Sequence, residues 1–352
     1  MFRNDELELQ EETYTSLSAR KIESTRYADE PYLFALGILD SVNYMLDTLN
    51  LNYFLSLKDP VYAQLTLEFL SSLIFSPTPN TNCSSGTVQF RLFNVEYALT
   101  FSQLADLLHF PHGDGVVSEV PDTEGWQRAF QPFWRAITGT VTHSFEGNRA
   151  TLIHNPAIRY FRQILACTIF GRANSNKVNE KELFYLFATF LPQKVNTVPF
   201  MLSHMQAIVN AKRGPIIFGG LITSIARVLG LEEKFSRLTP LPHHAIDIDM
   251  ARSMKLVKRR SDGKFNLIIA NNVLQDFILP NPNRTDVRNP DNYCYTNDPV
   301  PNQVPAHIPE NVAAGGDTDE DHIPEQTAPA TDPHTTHHTH VFSVYYTHLR
   351  AH

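Results

Sequence analysis

The sequence has few cysteines and lacks the common nucleotide-binding and hydrolase motifs. Only Cys83, Cys167 and Cys294 occur in 352 residues, and they lie far apart. This spacing excludes a zinc knuckle and a disulfide framework, and it suits a reducing compartment. The sequence also contains no G-x-x-x-x-G-K-[ST] phosphate loop, no G-x-S-x-G turn and no Asp-Thr-Gly or Asp-Ser-Gly. These absences argue against nucleotide hydrolysis, serine hydrolysis and aspartic proteolysis.

Long hydrophobic runs are also absent. The most apolar stretch, residues 214–226, stops at Arg227, well short of the ~20 residues that span a bilayer. The first residues are acidic, which is the reverse of a secretory signal. We therefore expect an intracellular protein, in the cytoplasm or nucleus, without a membrane partner.

The charge is distributed unevenly. The net charge of −8 comes mainly from residues 1–30 and 281–352, whereas residues 31–280 are close to neutral. A neutral centre excludes a strongly basic nucleic-acid binder. Both ends are poor in apolar clusters, and the last part is rich in Pro, Thr and His, so we predict disordered termini.

Residues 151–193 are typical of a helical hairpin. Asn155 followed by Pro156 is a strong helix start, and Asn179 with Glu182 has the spacing of a capping box. The apolar residues of the first helix recur at three- and four-residue steps. This period predicts that Arg159 and Arg162 lie on the opposite, solvent-facing side.

Two hairpins are predicted from alternation and turn residues. Residues 87–93 alternate between apolar and polar and are predicted to pair with residues 96–99. Thr100 with Gln103 predicts a capping box on the helix that follows. Asp262-Gly263, between alternating residues, predicts a second, basic hairpin.

These patterns predict a mainly α fold: a single helical domain with a small β-hairpin element, a C-terminal basic β-hairpin and disordered termini. The expected division is an acidic arm at 1–30, a helical domain at 31–238, a linker with the basic hairpin at 239–280, and an acidic tail at 281–352. Trp126 and Trp134 belong to an aromatic stripe at helical spacing, for which we prefer core packing over a binding platform.

Four segments resemble the proteins encoded by the first (gag-region) open reading frame of Athila-type plant retrotransposons. The resemblance covers roughly residues 30–280, in the same order as in that family. The segments are YAQLTLEFLSSLI (62–74), VQFRLFNVEYALTFSQLADLLHFP (88–111), NPAIRYFRQILACTIFGR (155–172) and ELFYLFATF (182–190).

This resemblance implies a non-enzymatic structural protein that self-associates around the RNA of its element, without a cofactor or a small-molecule ligand. The chain lacks the C-x₂-C-x₄-H-x₄-C knuckle of a nucleocapsid module. The resemblance therefore does not extend to a zinc-dependent RNA-packaging module.

A cluster of basic residues is the best interaction candidate in the sequence. On a hairpin these cations could contact RNA or DNA phosphates without sequence preference. The alternative is a solvated edge hairpin kept soluble by its charges, and the sequence leaves both open. The cluster consists of Arg252, Lys255, Lys258, Arg259, Arg260 and Lys264.

One stretch has the residue types of a metal site. His243, His244, Asp247 and Asp249 combine imidazoles with carboxylates, and a metal-dependent hydrolase is the function they would support. The alternative is a solvated linker after Pro242, which we prefer because the motif has no regular structure around it. His109, His112 and Asp114 suggest the same hypothesis of a metal site, and the same objection applies to them.

Overall fold

The fold is described from a computed structural model. The structure describes residues 4–121, 124–145, 147–172, 176–191, 193–211 and 213–295. Up to Tyr295 these residues form one compact unit. The predicted acidic tail from residue 296 onward lies outside the described residues.

Thirteen α-helices occur within the described residues. Three short 3₁₀ helices accompany them, at 150–152, 232–237 and 290–292. The α-helices are α1 (Asn4–Ser18), α2 (Glu30–Leu36), α3 (Leu39–Thr48), α4 (Asn52–Ser56), α5 (Ala63–Ser71), α6 (Phe101–Leu108), α7 (Glu124–Thr138), α8 (Pro156–Cys167), α9 (Glu180–Thr189), α10 (Thr197–Asn210), α11 (Gly219–Val228), α12 (Ile248–Ser253) and α13 (Pro282–Thr285).

Eight strands form three small sheets in this part of the chain. The first sheet is a parallel pair, β1 with β5, and the other two are antiparallel with orders β2-β3-β4 and β6-β7-β8. The strands are β1 (Arg26–Ala28), β2 (Ile74–Pro77), β3 (Gly86–Leu92), β4 (Val95–Thr100), β5 (His244–Ile246), β6 (Val257–Arg259), β7 (Phe265–Ile269) and β8 (Asn272–Leu279).

The predicted fold class, one mainly α domain with two small hairpins, is therefore wrong. Each predicted hairpin is part of a three-stranded sheet, and a parallel pair joins residues 26–28 to residues 244–246. The amino-terminal residues form α1, which packs on α5 with Leu17 buried. The described unit is an α+β fold.

Residues far apart in sequence account for these errors. β2 is defined by its pairing with β3, in which Ile74 and Phe75 lie opposite Gln89 and Val88. β1 and β5 are three residues long, too short to show a period. Contacts such as that of Ser41 Oγ with the Thr285 carbonyl (3.2 Å) also join the predicted segments. The predicted segment boundaries stay predictions.

Three predictions made from local sequence patterns are confirmed. The Asn155 side chain accepts hydrogen bonds from the Ala157 and Ile158 amides, and Pro156 is the first residue of α8. The Thr100–Gln103 capping box has both of its bonds at the start of α6. The aromatic stripe of α7 is buried, including Trp126 and Trp134.

Arg159 and Arg162, predicted to face solvent, are each only 1% exposed. This prediction is wrong because α8 is packed around its whole circumference, against α3, α9 and β1. Asn179 caps α9 through the Glu182 amide. The Glu182 carboxylate does not complete a capping box; it pairs with Arg162 (2.7 Å) and Arg172.

Arg159 places the two terminal nitrogens of its buried guanidinium against main-chain carbonyl groups, whereas its Nε has no hydrogen-bond partner among the described residues. Its guanidinium donates to the carbonyls of Ile268 (2.9 Å), Lys255 (2.9 Å) and Met254. Met254 and Lys255 directly follow α12, where the helix dipole favours a cation. Burial lowers the pKa of Arg159 to about 9, so the side chain stays charged at neutral pH. This one side chain thus fixes the sheet β6-β7-β8 to α8.

We predict that Arg159→Met destabilises the fold by about 3 to 5 kcal/mol, because three part-buried carbonyls lose their donor at roughly 1 kcal/mol or more each. Urea unfolding followed by circular dichroism measures this change. Arg128→Met is the control: Arg128 is 74% exposed, and we expect a change within about 0.5 kcal/mol. An Arg159→Met chain as stable as the wild type would contradict the role of Arg159.

Candidate nucleic-acid interface

The six predicted basic residues lie in one continuous segment that crosses three kinds of structure. Arg252 belongs to α12, Lys255 to the turn after it, and Lys258 and Arg259 to β6. Arg260 and Lys264 lie in the loop between β6 and β7.

The backbone of this segment is held tightly. Lys255 has a positive φ of 54°, which is uncommon for a residue other than glycine, and its carbonyl accepts from Arg159. The Asp262-Gly263 turn is confirmed: Gly263 has a φ of 82°, and the Arg260 amide bonds to the Lys264 carbonyl (2.9 Å). The positions of the cations are therefore set by buried contacts beneath them.

The basic side chains do not converge on one face. Lys258 pairs with Asn266 and Arg259 pairs with Phe265, and consecutive strand residues point to opposite faces of a sheet. Lys258 and Arg259 are both exposed, so they present their charges in opposite directions. An extended polyanion lying across this sheet would meet one of them, not both.

Intramolecular ion pairs reduce the available charge further. Arg252 pairs with Asp249 (3.4 Å) and Arg260 with Asp262 (3.1 Å). Asp262 also accepts from the Lys264 amide (3.1 Å). Lys255, Lys258, Arg259 and Lys264 are exposed, and their side chains have no carboxylate within ion-pair distance among the described residues. These four cations of the cluster remain open to an external anion.

The predicted histidine–aspartate stretch is divided among structural roles. His244 belongs to β5, and the Asp247 carboxylate caps α12 by accepting from the Met250 amide (2.9 Å). Asp249 pairs with Arg252, and the His243 ring stacks near Tyr27 (6.5 Å between ring centroids). The stretch is thus a strand followed by a helix, not a linker.

The second histidine group is also separated. The His109 ring stacks on Tyr53 with centroids 3.9 Å apart, whereas His112 Nε2 lies 2.7 Å from Asp106 Oδ1. Within the described residues, no group of three His, Cys, Asp or Glu side chains is placed to hold a metal ion.

The structure brings together a cysteine and a histidine that the sequence analysis did not associate. Cys294 Sγ lies 3.2 Å from His154 Nδ1, and the Tyr295 amide donates to the same nitrogen (2.8 Å). Burial raises the pKa of Cys294 to about 11 and lowers that of His154 to about 4. At neutral pH both groups are therefore uncharged, the opposite of an activated thiolate–imidazolium pair.

A lysine–serine pair was missed as well. Lys181 Nζ lies 3.0 Å from Ser203 Oγ, and burial lowers the pKa of Lys181. Ser203 lies within α10, not on the sharp turn that exposes a nucleophile. These two pairs are separated by 22 and 140 residues, so neither has a local sequence signal.

Comparison with known families decides the ancestry of the chain. The sequence model of the ATHILA ORF-1 family matches residues 1–193, which is more than half of the chain. The chain belongs to the ATHILA ORF-1 family. The predicted resemblance is thus confirmed, and the membership makes this a retrotransposon protein of the gag-like class. No curated protein and no solved structure matches the sequence.

The ATHILA ORF-1 match covers α1 through α9, including β4 and the Arg162–Glu182 pair. The basic cluster at residues 252–264 lies outside it. Among the described residues, no helix is both long and apolar enough to span a membrane.

We predict that the Cys294 thiol of this ATHILA ORF-1 protein alkylates slowly. At pH 7.5 a pKa of about 11 leaves on the order of 10²-fold less thiolate than the ~8.5 of a free cysteine. Peptide mass spectrometry after iodoacetamide treatment should show at least about a 100-fold slower reaction in the native than in the urea-unfolded chain. His154→Asn should leave the native rate low. A fast native reaction that His154→Asn abolishes would instead indicate a catalytic dyad.

Proposed function

We propose that this chain is a non-enzymatic, gag-like structural protein of a retrotransposon that acts by self-association. The observation that supports this proposal most strongly is the use of its reactive side chains within the fold. Glu182 is paired with two arginines, and Asp247 caps a helix. Asp59, only 1% exposed, bonds to Arg227 (2.6 Å) and Ser224 (3.0 Å).

The surface hollows support the same proposal. One of ≈390 Å³ lies beside the start of α6, and its polar side chains are hydroxyls, including those of Ser76, Thr87 and Ser102. No carboxylate, imidazole or amine side chain lines it. A second, of ≈240 Å³, lies between α1 and Arg91 and contains Glu11 but no histidine or cysteine. The first has no general base, and in the second no hydrogen bond joins a hydroxyl group to the Glu11 carboxylate among the described residues.

The proposal includes an intracellular location, in the cytoplasm or nucleus. The three cysteines form no disulfide within the described residues, which suits a compartment where thiols stay reduced.

We predict that the purified full-length chain shows a molar mass that rises with concentration in light scattering, because self-association follows mass action. The thermal unfolding midpoint should rise over the same range, since oligomers that bind only the folded state stabilise it. A constant monomer mass at every concentration would contradict the proposed function.

A second candidate function is nonspecific binding to RNA or DNA phosphates through the basic cluster. The observation that favours it is the group of four exposed cations without an ion-paired carboxylate among the described residues, Lys255, Lys258, Arg259 and Lys264. The division of Lys258 and Arg259 between two faces limits the contact to one or two phosphates at a time.

For this candidate we predict that Lys255→Ala with Lys258→Ala and Arg259→Ala lowers affinity for single-stranded RNA. The plot of log affinity against log salt should become less steep by about 0.7 per lost phosphate contact. Fluorescence anisotropy measures both quantities.

The matched control removes the same charge elsewhere, with Lys21→Ala, Arg128→Ala and Arg135→Ala, three exposed positions. Equal losses in the two triple variants would mean that net charge, not the basic cluster, carries the binding.

A further inference from the structure

β4 is an outer strand of the sheet β2-β3-β4. It hydrogen-bonds along one side to β3, and no strand of the described residues lies on its other side. None of its six residues is buried. An outer strand carries a row of backbone donors and acceptors that another strand can use.

The direction of those backbone groups follows from the hairpin turn. Phe93 and Asn94 both have positive φ, 53° and 61°, the geometry of a two-residue type I′ turn. The flanking Leu92 and Val95 then form a hydrogen-bonded pair, so the backbone groups of Val95, Tyr97 and Leu99 point toward β3. Those of Glu96, Ala98 and Thr100 form the outward set, which points away from β3. Ala98 has no backbone hydrogen bond on this open side within the described residues.

Two observed hydrogen bonds agree with this alternation. The Arg91 amide of β3 points away from β4 and bonds to Ser72 Oγ (2.8 Å). The Thr100 amide, in the same outward set as Ala98, bonds to Gln103 Oε1 (2.8 Å). The backbone of Thr100 is thus used to cap α6, which leaves an edge centred on Tyr97, with Glu96 and Ala98 on either side.

The apolar face of the sheet continues uncovered to this edge. Tyr97 pairs with the fully buried Phe90, and the two rings stack at 5.7 Å. Val95 is 44% exposed, and Leu99 is half-buried. These three β4 residues lie on the same face as the buried row of β3, so a further strand beside β4 would cover them.

The other outer strands have protection that β4 lacks. β6 has three residues, two of which are Lys258 and Arg259. The pairing of β8 is irregular at the point where the Asn266 side chain donates hydrogen bonds to the Leu274 and Gln275 carbonyls. β2 packs against α10, and β1 and β5 have three residues each. β4 has no Lys, Arg, Pro or bulge, although natural edge strands commonly use such devices to prevent pairing.

We propose that β4 pairs antiparallel with β4 of a second copy of this chain, about a two-fold axis at Tyr97. This inference rests on the proposed self-association and names its surface. In this register the two Tyr97 rings lie opposite one another, Val95 lies opposite Leu99, and Ala98 bonds across the axis. A register centred on Ala98 would require the Thr100 backbone, which α6 already uses.

The symmetry of this contact favours a second copy over an unrelated strand. Each copy uses the same residues, so the contact is isologous and closes as a dimer. The charge pattern permits it, because Glu96 is the only charged residue of β4 and its register partner within the hairpin is Arg91. The product is a six-stranded sheet with β2 at both ends.

The test compares wild-type chain with Ala98→Pro and Ala98→Val in sedimentation velocity. Proline removes the outward N–H and is tolerated at such edge positions, so Ala98→Pro should fold and associate at least about tenfold more weakly. Ala98→Val keeps the N–H and should associate like the wild type. If the wild type associates and Ala98→Pro associates equally, this inference is overturned while the proposed function stands. If the wild type remains monomeric, both fail.

Hydrogen exchange gives a second measurement that needs no variant. Amides of residues 95–100 in the wild-type chain should exchange more slowly as concentration rises, while those of β8 should not change. Association without new protection at residues 95–100 would overturn the proposed surface, even if Ala98→Pro failed to fold.

Discussion

The placement of a buried guanidinium against main-chain carbonyls is the interaction on which the carboxyl-terminal part of the fold depends. Arg159 brings a charge into the core, and the groups that compensate it are the carbonyls of Met254, Lys255 and Ile268. A buried charge without such partners would cost several kcal/mol. Because two of these carbonyls lie in the turn before β6, the same contact orients the basic cluster. The buried Arg159 side chain thus contributes to the position of the basic cluster on the surface.

Other arginines join distant segments in the same way. Arg20 donates to the carbonyls of Ile208 (2.8 Å) in the last turn of α10 and of Gly214 (2.8 Å) after that helix. Arg162 donates to the Lys177 carbonyl (2.5 Å) as well as to Glu182. The planar, five-donor guanidinium suits such multiple contacts better than an ammonium group. Two buried carboxylates, Glu182 and Asp59, are held by arginines in this way.

This use of arginine also explains how far the sequence could predict the structure. Most signals within four residues were reliable: the Asn155 cap, the Thr100 capping box and the Asp262-Gly263 turn all form. The Asn179–Glu182 capping box forms only in part, because the Glu182 carboxylate pairs with distant arginines. Arg159 was misplaced because a periodicity argument assigns charged residues to solvent, whereas its partners lie 95 to 109 residues away. For the site, the sequence identified the segment of the basic cluster. That Lys258 and Arg259 point in opposite directions could be inferred only from the strand register.

The family match is shorter than the compact unit of the structure. The match ends at residue 193, but the core does not divide there. Asp59 inside the match pairs with Arg227 beyond it, and Arg159 inside the match bonds to residues 254, 255 and 268 beyond it. Asn155, the cap of α8, bonds to the carbonyl of Asn292 (2.9 Å). Residues 1–193 alone would leave these buried charges and amides without partners, at a cost of several kcal/mol. The matched segment is therefore a unit of sequence similarity, and the unit that folds extends to Tyr295.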